Sequence, residues 1–178
     1  MDPQDVVMFW IKAGAKLWFA KDAAFDAEIR ARFEGQHHAA ACGELDDWAA
    51  TPEGALALLL LLDQFPRNLF RGSPHAFATD PLARAVAAGA IERGFDQKVD
   101  PSLRGFFYLP FEHSERLEDQ DRCVALAEAS GDADLLKWAR IHRDIIARFG
   151  RFPHRNACLA RTTTEAEHAF LDGGGFAG

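Results

Sequence analysis

Eight consecutive residues, Ala55 to Leu62, are all alanine or leucine. Both are strong helix formers. A surface helix carries one apolar stripe, whereas this run is apolar on every face, so it must lie at the centre of the fold with neighbours all round. Thr51-Pro52 opens it, an N-cap residue followed by a proline at the first helical position. Phe65-Pro66 is expected to end it, because the residue before a proline disfavours the helical region. The run is far below the ~20 residues a bilayer span needs.

The rest of the composition points the same way. Valine, isoleucine and threonine together supply only 16 of 178 residues. β-branched side chains suit pleated surfaces, so their scarcity favours helix over sheet. Hydrophobic residues are 48% and charged residues 26%, which are globular values. Cys42, Cys123 and Cys158 are odd in number and lack Cys-x-x-Cys spacing, which argues against a disulfide framework and a structural zinc site. The acidic start Met-Asp-Pro-Gln-Asp does not read as a secretory signal. The expected location is cytoplasmic.

Local punctuation predicts seven or eight helices and no strand. Asp2-Pro3 opens the first helix, and Asp22 caps a second in which Phe25, Ile29 and Phe33 recur every four residues. Gly43 is a plausible stop for it. The central helix follows. Asp80-Pro81 starts a fourth, which Gly94 ends. A fifth is expected from about Ser114 to Ser130, with Gly131 after it. Asp132 caps a sixth that reaches Phe149 and stops at Gly150. A short helix follows Pro153, and a capping box, either Thr162 with Glu165 or Thr164 with Glu167, starts the last. With short linkers and no Ser/Gly-rich hinge, residues 1–178 read as one all-α domain of antiparallel helix pairs, with a mobile Gly-rich end at 172–178.

Two local echoes carry the candidate chemistry. Phe65-Pro66-Arg67-Asn68 follows the central helix, and Phe152-Pro153-His154-Arg155-Asn156 follows the sixth. In each, an aromatic residue and a proline precede an arginine fork and an asparagine amide, which offers both donor and acceptor. Brought together, the two corners would make a donor-rich pocket for a carboxylate, a phosphate or a peptide carbonyl. Alternatively each corner ties down orphan carbonyls at a helix end. Asp63 closes the apolar run and needs a partner if buried, with Arg67, Arg148 or Arg151 as candidates. His142 falls on the apolar stripe of the sixth helix. His113 precedes the stripe of the fifth in phase, and Gln120 lies within it. Such inward polar groups are either hydrogen-bonded core residues or, for His113 and His142, general bases. The acid-rich stretch from Glu112 has no Glu-x-x-His spacing, so neither a metal nor any other cofactor is expected.

The formal net charge of −7 conceals a division. From Arg140 to Arg161 there are six arginines and one acid, and from Glu112 to Asp121 five acids and one arginine. Either the acidic fifth helix and the basic sixth neutralise one another as an antiparallel pair, or some of those arginines serve an anion. An acidic whole excludes general nucleic-acid binding.

Three long motifs in order resemble the bacterial family known as domain of unknown function 924: Leu62-Asp63-Gln64-Phe65-Pro66-Arg67-Asn68 with Phe70-Arg71-Gly72, then Phe107 to Glu115, then His142 to Asn156. Trp18-Phe19 with Phe25-Asp26 fits as well. The resemblance implies a tetratricopeptide-like right-handed superhelix or a compact bundle, and no activity. The function expected is therefore a binding or scaffold module for a small anion or a peptide carboxylate. Its ligand residues would be Asp63, Arg67, Asn68, Arg71, His113, His142, Arg151, His154, Arg155 and Asn156. The alternative is a hydrolase or transferase that uses His113 or His142 as general base on an anionic substrate. Partners would be a small anionic ligand, a peptide or a protein, with neither nucleic acid nor membrane; a homo-oligomer stays open.

Overall fold

A computed structural model describes residues 1–177 and shows, among them, helices and turns without a strand. The chain packs as two compact units. The first comprises Met1–Arg71 with His75–Pro110, and the second Gly72–Pro74 with the residues from Phe111 onward. Among the described residues, no helix is long and apolar enough to cross a membrane.

In the first unit, α1 (Pro3–Ala13) begins at a capping box in which Asp2 accepts from Gln4 N and Asp5 accepts from Asp2 N. A short α2 (Ala15–Trp18) leads to α3 (Ala23–Ala41), where the Asp22 side chain accepts from Phe25 N at 2.8 Å. Phe25, Ile29 and Phe33 are buried as their spacing predicts, and the rings of Phe25 and Phe33 pack with those of Phe9, Trp10 and Phe65. Next comes α4 (Pro52–Leu59), capped by Thr51. Every side chain from Ala55 to Leu62 is at most 2% exposed, so the apolar run is the centre of this unit. Gly54 is required at its start, since a Cβ there would lie 2.1 Å from the Trp48 carbonyl oxygen.

The expected stop at Phe65-Pro66 does not occur. The helix widens into one π turn, Leu60–Gln64, and continues as α5 (Phe65–Leu69), with Pro66 in its first turn. A proline inside a helix lacks the N–H that residue i−4 would accept, and its ring crowds that carbonyl. Here the widened turn removes the crowding, and side chains supply donors. Phe65 N–H reaches back to Leu60 O, five residues away. Leu61 O instead accepts from His37 Nδ1 at 2.8 Å, and Leu62 O accepts from Thr79 Oγ1 at 2.6 Å. Because a carbonyl only accepts, Nδ1 of His37 carries the proton. Burial pushes the pKa of His37 down, which suits this neutral role. The unit closes with α6 (Asp80–Glu92) and a 3-10 stretch, Pro101–Phe107, whose Phe106 packs on Trp10 and Trp18. A one-turn α7 (Leu109–Glu112) follows.

The second unit is built on α8 (Leu117–Ser130) and α9 (Ala133–Phe149). The fifth predicted helix thus starts three residues later than Ser114, which sits in the preceding turn. Gly131 and Gly150 take left-handed conformations at the two helix ends, and Asp132 caps α9. Asp121 pairs with Arg143 at 2.9 Å and Glu128 with Arg140 at 3.3 Å, the register of an antiparallel hairpin. Gln120 is fully buried, and its amide donates to the carbonyls of Phe111, Glu112 and Ser114. The segment after Pro153 is one 3-10 turn, Pro153–Arg155. The last helix, α10 (Glu165–Asp172), starts at the Thr164–Glu167 capping box.

The Gly-rich end does not hang free of this unit. Gly173 N–H and Gly175 N–H donate to Ala169 O and Phe170 O, and Phe176 packs against the core of Ile145, Ile146 and Phe152. Three glycines let the chain fold back on α10, and an aromatic ring beyond them gives it something to bury. Gly178 lies outside the described residues.

Candidate functional site

The first Arg-Asn corner grows from the π turn and α5. Asp63 is 1% exposed, and its carboxylate accepts from Gln64 Nε2 at 2.6 Å and lies 3.3 Å from Arg67 Nη1. Arg67 also donates to the Asp63 backbone carbonyl and forks onto Asp80 at 3.0 and 3.2 Å. Of the three arginines considered for Asp63, Arg67 is therefore a partner. Burial alone would lower the pKa of Arg67, but Asp63 and Asp80 outweigh it and hold the guanidinium charged. Arg67 is thus held between two carboxylates of its own unit.

Asn68 and Arg71 face a different acid. Asp26 of α3 accepts from Asn68 Nδ2 at 2.8 Å and from Arg71 Nε and Nη2 at 2.5 and 3.0 Å. Four residues apart, Ala23, Ala27 and Ala31 leave α3 low on the same side. An open cavity of about 470 Å³ lies over them, bounded by Asp26, Arg30, Asn68, Leu69 and Arg71. Arg30 donates to Leu69 O and pairs with Glu34 at 2.9 Å. The cavity thus has an alanine floor and two guanidinium groups at its edge.

The second corner divides. Arg151 and Asn156 both turn to Glu167 of α10, a carboxylate only 2% exposed. Arg151 forks onto it at 2.6 and 2.8 Å, Asn156 Nδ2 donates at 3.3 Å, and Thr164 N at 2.7 Å. The Arg151 hydrogen bonds, ahead of that from Thr164 N, pull the Glu167 pKa down to about 2. Arg161 extends the network to Glu115 at 2.7 and 3.0 Å and to Asn156 Oδ1 at 2.9 Å. These groups tie the α9 exit to α10. Arg148 stacks on Phe149 and Phe170 at 4.6 and 5.7 Å.

His154 and Arg155 gather with the histidines instead, around the buried Phe152 ring. Arg155 is 6% exposed, lies 4.4 Å above that ring and donates to His113 O at 3.0 Å. His142, also 6% exposed, has its ring 5.5 Å from Phe152, and His154 has its ring at 5.6 Å. Nδ1 of His142 is 2.9 Å from Trp138 O and 3.5 Å from Glu112 Oε1, so Nδ1 carries a proton. Burial, then the charge of Arg155, drives the His154 pKa down to about 3, so this imidazole is neutral near pH 7. Burial likewise raises the Cys123 thiol pKa, which makes it inert.

Four groups that matter here were not foreseen from the chain as site residues: Asp26, Arg30, Trp138 and Phe176. Asp26 lies 42 and 45 residues from the side chains it receives, and no local pattern marks such a contact. Glu167 was legible as a helix cap and not as the acceptor of Arg151.

A family model described as a bacterial protein of unknown function (DUF924) matches residues 6–175. No curated protein matches the chain. Among solved structures, a protein of unknown function from Agrobacterium tumefaciens is 53% identical and superposes with a TM-score of 0.93, covering 96% of this chain and 97% of that one.

Proposed function

We propose, for a chain that belongs to the DUF924 family of bacterial proteins, that it is a binding module for a small carboxylate or a peptide carboxy-terminus, seated in the α3–α5 cavity. One observation carries the reading. At the cavity edge, Arg71 and Asn68 already place three donors on a single carboxylate, that of Asp26. A planar guanidinium fork with an adjacent amide is carboxylate-recognition chemistry. Arg30 supplies a second cation, and the alanine floor accepts a short apolar side chain. The volume falls within the ~300–1,000 Å³ of small-molecule sites. Of the ten ligand residues expected from the sequence, Asn68 and Arg71 line this cavity, while Asp26 and Arg30 join them.

The test uses N-acetyl-alanyl-alanine and its carboxy-amide, titrated calorimetrically against the whole chain. The free acid should bind and the amide should not. Arg71→Ala should abolish binding, and Asp26→Ala should strengthen it by freeing the fork from its internal acid. Equal binding of acid and amide, or weaker binding by Asp26→Ala, overturns the reading.

A second reading, hydrolase or transferase chemistry with His142 as general base, is favoured by one contact. Glu112 Oε1 lies 3.5 Å from His142 Nδ1, an arrangement in which a third group orients the base. A screen of activated esters and phosphate esters tests it. Turnover that disappears in both His142→Asn and Glu112→Gln supports it, and turnover indifferent to both removes it.

A further inference from the structure

Phe176 is the one residue of the Gly-rich end that sits in a cage of rings. Its centroid is 4.5 Å from His142, 5.2 Å from His154 and 6.2 Å from Trp138, at interplanar angles between 56° and 83°. Edge-to-face contacts of this kind are a good fit for any aromatic ring. The strap that delivers it is lightly held. Gly174 takes a positive φ of 80°, and among the described residues the last backbone hydrogen bond is Gly175 N to Phe170 O at 2.9 Å. Beyond Gly175 the ring contacts hold it in place.

One wall of the cage, His154, also carries a polar atom without a partner. His154 Nδ1 is sealed from solvent without a hydrogen-bond partner among the described residues. Buried polar atoms are paired in the great majority of cases, and an exception in a native fold calls for an explanation. Trp138, the outer wall, is 44% exposed, so the cage borders solvent.

We propose that Phe176 is the chain's own occupant of a binding site for a planar nitrogen heteroaromatic ring, walled by Trp138, His142 and His154. The ligand ring enters when the strap of residues 173–177 lifts. It replaces the phenyl ring face for face and gives His154 Nδ1 the polar partner that phenylalanine lacks. A ring with an N–H and an acceptor nitrogen serves either tautomer of His154. The inference is independent of the carboxylate reading, since it uses none of the residues of the α3–α5 cavity.

The test compares benzimidazole with benzofuran, which has the same shape and no N–H, at pH 7.5. Binding to the whole chain is read by ligand-observed NMR. A site closed by its own chain has its apparent affinity reduced by the fraction of open molecules, so Phe176→Ala should bind benzimidazole about tenfold tighter or more than the parent. Benzofuran should bind more weakly, and His154→Leu in the Phe176→Ala background should remove that preference. In the unsubstituted protein, saturating benzimidazole should speed amide hydrogen exchange at residues 173–177. This measurement decides the matter even if Phe176→Ala does not fold. No gain in Phe176→Ala, or strap exchange that benzimidazole leaves unchanged or slows, overturns the proposal.

Discussion

Replacing Thr79 by valine tests the account of the π turn. Valine keeps the shape of threonine and deletes only the hydroxyl. Thr79 is 6% exposed, and its Oγ1 donates to Leu62 O at 2.6 Å. Its i+4 partner along the helix is Pro66, which has no N–H to offer. The substitution therefore strands a buried acceptor, at a cost of about 1–3 kcal/mol. With a urea m-value of about 2 kcal/mol per molar, the unfolding midpoint should fall by about 0.5–1.5 M. The decisive measurement is the double-mutant cycle with Pro66→Ala, which returns an N–H to position 66. If the reasoning holds, Thr79→Val costs less in the Pro66→Ala background, with a coupling of about 1 kcal/mol. Costs that add to within about 0.3–0.5 kcal/mol would refute it, because the hydroxyl would then not be standing in for the missing N–H.

Three further outcomes follow from the same contacts. Gly54→Ala should destabilise by about 2 kcal/mol in urea unfolding, since its Cβ would meet the fixed Trp48 carbonyl oxygen rather than a flexible side-chain tip. Glu167 has a folded pKa of about 2 against an ordinary carboxylate value of 4.5, so its stabilisation is present above pH 4.5 and is lost as pH falls toward 2. The melting temperature of Glu167→Gln should accordingly change less than that of the parent between pH 5 and 2. For His154 the folded pKa of about 3 lies below the ordinary imidazole value of 6.5, so the unfolded chain takes up a proton first and acid between pH 6.5 and 3 favours unfolding. The His154 imidazole NMR signals should show no titration between pH 8 and 4, and a midpoint near 6 would contradict its burial.

What the sequence determined by itself is the part governed by short-range rules. Asp2, Asp22, Thr51 and Asp132 cap helices in the structure, Gly131 and Gly150 end them, and Thr164 with Glu167 begins the last. Each involves groups within about four residues, where backbone geometry leaves few alternatives. The eight-residue apolar run also announced its own burial, since no arrangement could hide all its faces except the middle of a unit. The paired charges of α8 and α9 were legible for the same reason, as helices joined by a tight turn must run antiparallel.

Tertiary structure decided the remainder. Proline 66 reads as a stop by every local rule, and it is overridden by donors 24 and 17 residues from the carbonyls they serve. The two Arg-Asn corners look alike in sequence, yet Asn68 borders an open cavity beside Arg71 while Asn156 is spent on Glu167 beside Arg151. An arginine has the same fork wherever it stands, and whether it serves as a tie or a receptor depends on which carboxylate the fold brings to it. The Gly-rich end makes the same point, because three glycines permit many conformations and only the cage of Trp138, His142 and His154 selects one.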